Sequence, residues 1–190
     1  TNVAVPVADG VAPFELGVAC ELFGLDRSDQ GLPRYEFALA SVAGETVSTT
    51  AGYTIGTRHR LDRLAEADLV VLVAGSWVEQ PPNPALVAHL HEAHRRGAHL
   101  MAICRGGFVL AAAGLLDGRR ATAHWRWTEE MATRYPRIDL DPHVLYVDTG
   151  SISTSAGTAA GIDLGLHLLR RAHGVTVAAE IARRMVVPPH

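Results

Sequence analysis

The run Asp68-Leu69-Val70-Val71-Leu72-Val73 is apolar at nearly every position. A strand with one wet face alternates apolar and polar residues, so a nearly continuous apolar strand needs cover on both faces. That requirement points to a parallel sheet between two helical layers. The rest of the chain alternates in the way such a sheet demands. Strands are expected at Asn2–Val7, Tyr35–Ser41, His143–Asp148 and Ser151–Ser155, with a hairpin or edge strands within Val47–Ile55. Helices are expected at Pro13–Phe23, Leu61–Ala67, Pro84–Arg96, Trp125–Tyr135, Thr158–Ala172 and Thr176–Met185. Asn83 is placed to cap the helix that Pro84 begins, and Gly97 to end it. The pattern predicts an α/β, doubly wound sandwich with a mainly parallel sheet.

A second apolar run, His99-Leu100-Met101-Ala102-Ile103, meets a helix-like run from Gly106 to Ala113, with Cys104 at the junction. This reads as strand, sharp turn and helix, with a thiol at the apex. Ligands of doubly wound sheets bind beyond the carboxyl ends of the strands, and Cys104 lies at such an end. The partial positive charge of a helix N-terminus would favour thiolate over thiol. Gly106 and Gly107 would allow a tight turn and close approach to the backbone. The plain alternative is that Cys104 is a small buried hydrophobe, as free cysteines often are.

Composition narrows the function. The 190 residues fit one domain, and 48% apolar with 19% charged residues describe a soluble globular chain. No apolar run approaches the roughly 20 residues that span a bilayer, and Asn2–Val7 is too short and lacks the basic start of a signal peptide. Two cysteines make no disulfide framework; Cys20 and Cys104 read as separate thiols of a cytoplasmic protein. A net charge of −3 argues against nucleic-acid binding by this segment. His89, His91, His94 and His99 suggest a metal cluster, but His89 and His91 cannot share a helix face and the order is not His-Glu-x-x-His. A solvated face is favoured, and neither a metal nor a cofactor is expected. Trp125 and Trp127 would line a pocket mouth, an interface or a helix surface. No Gly-x-Ser-x-Gly, P-loop or dinucleotide fingerprint occurs.

The long block Ala102-Ile103-Cys104-Arg105-Gly106-Gly107-Phe108 through Thr122-Ala123-His124-Trp125 resembles the core of the ThiJ/PfpI superfamily. More closely, it is similar to the glutamine-amidotransferase-like N-terminal domain of AraC-type transcriptional regulators. Pro13-Phe14-Glu15-Leu16, Glu21-Leu22-Phe23-Gly24 and Thr154-Ser155-Ala156-Gly157-Thr158 fit the same pattern. The resemblance covers essentially the whole chain. It implies a flavodoxin-like fold with a cysteine nucleophile elbow. It also implies either a domain that senses small molecules and dimerises, or a cysteine-dependent enzyme of the isocyanide-hydratase or glyoxalase kind.

The resemblance also assigns roles. Cys104 would be the elbow thiol, Glu15 the acidic residue beside it and His124 the nearby histidine; these are the candidate catalytic residues. Glu15 otherwise reads as an ordinary first-turn glutamate, and His124 as a satisfied core histidine. Gly75 would supply an oxyanion N–H together with that of Arg105, with Ser76 and Trp77 edging the pocket and Gly106 lining it. Arg105 departs from the small or hydroxylic residue usual after the cysteine. A guanidinium there would hold the thiolate, grip an anionic ligand bidentately, point into solvent or cross a dimer contact. Residues 1–185 are expected to form the domain. Residues 186–190 are expected to begin a linker to a helix-turn-helix part outside this chain, through which alone DNA would be bound. The balance of features favours a sensing and dimerisation domain centred on Cys104, taking an unidentified small molecule, with the enzyme as alternative.

Overall fold

The computed structural model describes residues 1–76 and 79–188. Its strands are β1 (Asn2–Val7), β2 (Glu36–Ser41), β3 (Thr46–Ser48), β4 (Thr54–Gly56), β5 (His59–Arg60), β6 (Leu69–Leu72), β7 (His99–Ile103), β8 (Arg120–Ala121), β9 (Asp139–Leu140), β10 (Tyr146–Asp148) and β11 (Ile152–Ser155). The helices are α1 (Pro13–Ala19), α2 (Pro84–Arg95), α3 (Gly107–Ala112), α4 (Thr128–Arg134), α5 (Ala160–His173) and α6 (Val175–Arg184). Seven strands form the central sheet in the order β10-β11-β7-β6-β1-β2-β5. Every neighbouring pair is parallel except β10 with β11.

Alternation along β6 and β7 builds two cores. Val70, Leu72, Leu100 and Ala102 pack beneath α2, α3 and α4, with Leu86, Leu90, Phe108 and Met131. Leu69, Val71, Met101 and Ile103 pack on the other face, with Leu16, Leu164, Leu168 and Ile181 of α1, α5 and α6. This is the two-sided burial that the apolar strands required, each fully buried branched side chain contributing about 1.5–3 kcal/mol. The hairpin expected within Val47–Ile55 is present as the antiparallel pair β3–β4. Asn83 caps α2, its Oδ1 accepting from the Ala85 N–H at 2.8 Å, and Gly97 ends it at φ +96°.

Some expected elements are shorter. The helix expected to Phe23 is regular only to Ala19 and widens into a π turn over Cys20–Gly24. There Leu22 is pressed against α5, so closely that a Cβ on Gly165 would lie 2.2 Å from Leu22 Cδ1. Leu61–Glu66 is a 3-10 helix, and a separate 3-10 turn, Trp125–Trp127, precedes α4. The strand expected from His143 begins only at Tyr146, because the Asp141 carboxylate accepts from the His143 N–H at 2.9 Å and turns the chain there. The small parallel pair β8–β9 has no counterpart in the sequence reading.

A polar cluster ties α5 to the sheet edge. The largely buried Asp148 carboxylate accepts from the Gly150 N–H, His167 Nε2 and Arg171. Burial alone would raise its pKa, but the Gly150 N–H, His167 and Arg171 together hold it below the ordinary carboxylate value.

The elbow depends on one close approach. A Cβ on Gly106 would sit 2.2 Å from the Leu72 carbonyl oxygen, a backbone atom that cannot move aside. Gly106→Ala should therefore cost about 3 kcal/mol or more. Gly17→Ala, on the exposed face of α1 with nothing within 4 Å, should gain about 0.5–1 kcal/mol. Urea denaturation of the two variants checks both signs. Asp148→Asn should cost about 2 kcal/mol at neutral pH. A carboxylate with a depressed folded pKa contributes fully above its unfolded value of about 3.9 and loses that contribution as pH falls through the folded value. The variant's acid-unfolding limb should accordingly be flatter than the parent's when stability is followed against pH.

Candidate functional site

Cys104 follows β7 directly, in a 3-10 turn that leads into α3. Its φ is +56°, in the left-handed region that a side chain rarely occupies. Holding a non-glycine residue there costs about 1–3 kcal/mol, a strain that clusters at functional sites. The conformation turns the thiol back onto the α1/α5 face, where it packs with Ile103 and Leu16. Only 7% of the residue is exposed.

Three groups act on the sulfur. Glu15, itself buried on α1, hydrogen-bonds to it by its side chain, and the N–H and guanidinium of Arg105 act on it as well. Burial first, then the Glu15 carboxylate, push the thiol up to about 11; the Arg105 N–H and charge only partly offset this. The sequence-based expectation of a favoured thiolate is therefore corrected. The helix after the elbow has six residues behind a 3-10 turn, and desolvation with a neighbouring carboxylate outweighs so short a dipole. At neutral pH the proton therefore stays on the sulfur.

Arg105 points neither into open solvent nor toward Cys104 alone. Its guanidinium donates to Glu79 at 3.2 Å and lies over the Trp127 ring, 5.8 Å from the centroid. The side chain is 20% exposed while that of Glu79 is 56% exposed, so the pair forms a rim whose outer, acidic end faces solvent. Ser76 is occupied structurally: its hydroxyl donates to the Asp9 carbonyl at 3.1 Å, joining the loops after β1 and β6. Gly75 is buried just beyond β6. Gly106 is required by packing against Leu72, whatever else it touches. Trp77 lies outside the described residues.

His124 comes from a third loop. Its Nδ1 accepts from the Arg126 N–H at 3.2 Å, capping the turn that holds Trp125 and Trp127. The ring proton is thereby assigned to Nε2, leaving a donor. The ring packs on Gly157, where a Cβ would come within 2.5 Å of Cδ2. Among the described residues His124 makes no hydrogen bond to Cys104. The structure thus joins Cys104, Glu15 and Arg105 directly and sets His124 in an adjoining loop. Glu79, which no sequence motif marks, is the rim residue the sequence reading missed.

Two cavities lie away from the elbow. One of about 290 Å³ runs between α5, α6 and β10, and one of about 130 Å³ lies beside Tyr35, His99 and Arg171. Among the described residues no group of three or more His, Cys, Asp or Glu side chains is arranged to hold a metal ion. His91 instead contacts the Ala113 carbonyl, and His99 contacts Ser153 and the Gly150 carbonyl. No described helix is long and apolar enough to cross a membrane.

The chain belongs to the DJ-1/PfpI family, whose profile matches residues 1–171. It is 37% identical over 153 residues to the HTH-type transcriptional regulator CdhR of Pseudomonas aeruginosa, covering 80% of this chain and 45% of that protein. It is 35% identical over 91 residues to an isonitrile hydratase of Pseudomonas putida, covering 48% of this chain and 39% of the enzyme. The chain thus spans less than half the length of these relatives. The crystal structure of an AraC family transcriptional regulator from Pseudomonas putida superposes with a TM-score of 0.81 at 21% identity, over 97% of this chain and 98% of that one. The flavodoxin-like fold and the strand–helix elbow are those of the family.

Because the Glu15 carboxylate opposes ionisation of the thiol, Glu15→Gln should speed alkylation of Cys104 by iodoacetamide at neutral pH. Each unit by which the thiol pKa falls raises the thiolate fraction about tenfold. Peptide-level mass spectrometry resolves Cys104 from Cys20, and an unchanged Cys104 rate would contradict the assignment.

Proposed function

We propose that this chain is the small-molecule-sensing and dimerisation domain of an AraC-type transcriptional regulator, with its ligand site at Cys104. DNA would be bound by a separate helix-turn-helix part, and the protein would act in the cytoplasm. The observation that carries the reading is the geometry of the elbow, a buried thiol contacted by the Glu15 side chain and the Arg105 N–H, with the Arg105 guanidinium at the rim. A sulfur held protonated by burial and by a carboxylate is a poor resting nucleophile, but its surroundings suit recognition. The similarity to CdhR supports the same reading. Gly75, Ser76 and Gly106 would border the ligand. Arg105 would contribute its charge to an anionic ligand, which must compete with the exposed Glu79 carboxylate for the guanidinium.

The second reading, a cysteine-dependent enzyme on a small electrophile, is favoured by the isonitrile hydratase relative and by the Cys104–Glu15 contact. In it Glu15 would move the proton between thiol and substrate, with His124 assisting. The bulky Arg105 beside the cysteine weighs against that mechanism.

The readings separate experimentally. The purified domain should show no robust Cys104-dependent turnover of an isocyanide or of methylglyoxal. A panel of small carboxylates and phosphates, followed by thermal shift, should give at least one stabilising anion. Its affinity should fall about tenfold or more in Arg105→Ala, because a charge-assisted hydrogen bond contributes about 1.5–3 kcal/mol. It should rise in Glu79→Gln, where the competing carboxylate is gone. Turnover abolished by Cys104→Ala would transfer the assignment to the enzyme.

A further inference from the structure

Ser155 is the last residue of β11 and is fully buried. Among the described residues its Oγ has no hydrogen-bond partner. A buried hydroxyl left unsatisfied is disfavoured, so one retained at a site calls for a reason. Its position supplies one. In the parallel pairing of β11 with β7, Ser155 stands opposite Ile103, the residue immediately before the elbow.

The face it lies on follows from its neighbours. Thr154 accepts from the Thr122 N–H on one side of the sheet. Ser153 contacts His99 Nε2 at 2.7 Å on the other, the side of Met101 and Ile103. Alternation places Ser155 with Ser153, on the α1/α5 face where Glu15 reaches the Cys104 sulfur. Two residues further on, Gly157 packs against the His124 ring. The segment 155–157 therefore runs from the elbow to the histidine loop, with the unpartnered Ser155 hydroxyl at the elbow end.

We infer that Ser155 is a positioning residue of the Cys104 site, its hydroxyl being the reserve donor that turns to the sulfur when the thiol loses its proton. The inference rests on Cys104 being the working centre of the domain, and it adds a residue that neither the motif nor the contacts of the resting thiol identify. In the resting state the sulfur carries its own proton, contacts the Glu15 side chain and accepts from the Arg105 N–H, leaving Ser155 idle. When a base in solution removes the thiol proton, the sulfur gains an acceptor lone pair that the buried Ser155 hydroxyl can satisfy. Ser155 keeps its own proton throughout.

Alkylation with iodoacetamide tests this on the purified 190-residue chain. The sulfur attacks the methylene carbon, iodide leaves, and the thiol proton goes to solvent. In Ser155→Ala the rate at Cys104 should fall about tenfold from neutral to mildly alkaline pH, one unit of displacement in the pH profile. The rate at Cys20 should be unchanged. The thermal midpoint should hold or rise, because an unsatisfied group has been removed. Ser155→Thr, which retains the hydroxyl, should stay close to the parent profile.

An unaltered Cys104 profile in Ser155→Ala, with Glu15→Gln still accelerating the reaction, would overturn the inference about Ser155 alone. If neither variant changes the Cys104 rate, the reading of Cys104 as the centre fails as well. A Ser155→Ala chain that melts earlier or fails to fold would show that the hydroxyl is structurally engaged, which also overturns the inference.

Discussion

The site is organised by the contact between the Gly106 backbone and the carbonyl of Leu72. Strands β6 and β7 are neighbours because both are apolar on two faces, and they end together. The chain leaving β7 must then turn within a few residues beneath the end of β6. Only a residue without a Cβ fits there, and the turn forces Cys104 to φ +56°. The positive φ directs the thiol onto the α1 side of the sheet, where Glu15 already lies buried. The loops after β1 and β6 are drawn to the same edge by the Ser76 hydroxyl on Asp9. The steric condition on the backbone thus determines which titratable groups meet.

The electrostatic character follows from that placement. A thiol in the first turn of a long, solvent-facing helix would be acidified. Here the helix is short, the sulfur is buried and the charge that acts on it most strongly is a carboxylate, so the two largest effects act in the other direction. The compensating cation, Arg105, is shared with Glu79 and lies over Trp127. An anion bound there would have to compete with the exposed Glu79 carboxylate for that charge. On the proposed reading, this one side chain would couple a ligand's charge to the state of the thiol.

Much of this was legible in the sequence because it rests on local pattern. The two-sided apolar runs specified the parallel sheet, the glycines after Cys104 specified the elbow, and Asn83-Pro84 with Gly97 bounded α2. The π turn at Cys20–Gly24 was not legible, since it accompanies the packing of Leu22 on Gly165 across 143 positions of sequence. The thiol's protonation was misread for the same reason. The dipole argument is local, whereas the dominant effects, burial and Glu15, come from a helix some 89 positions earlier. Glu79 lies in a loop without a periodic pattern, and Ser155 was visible only as part of a family-like block. Its unpartnered hydroxyl emerges only once β11 is placed beside β7.

The central claim is that Cys104 rests as a protonated, carboxylate-guarded thiol within a recognition site. Ultraviolet titration of thiolate absorbance tests it most directly, using the domain with Cys20→Ser so that one thiol is observed. The account predicts no Cys104 thiolate signal at neutral pH, with ionisation delayed well into the alkaline range. A thiolate already formed at neutral pH would contradict it and would restore the elbow to the role of a ready nucleophile.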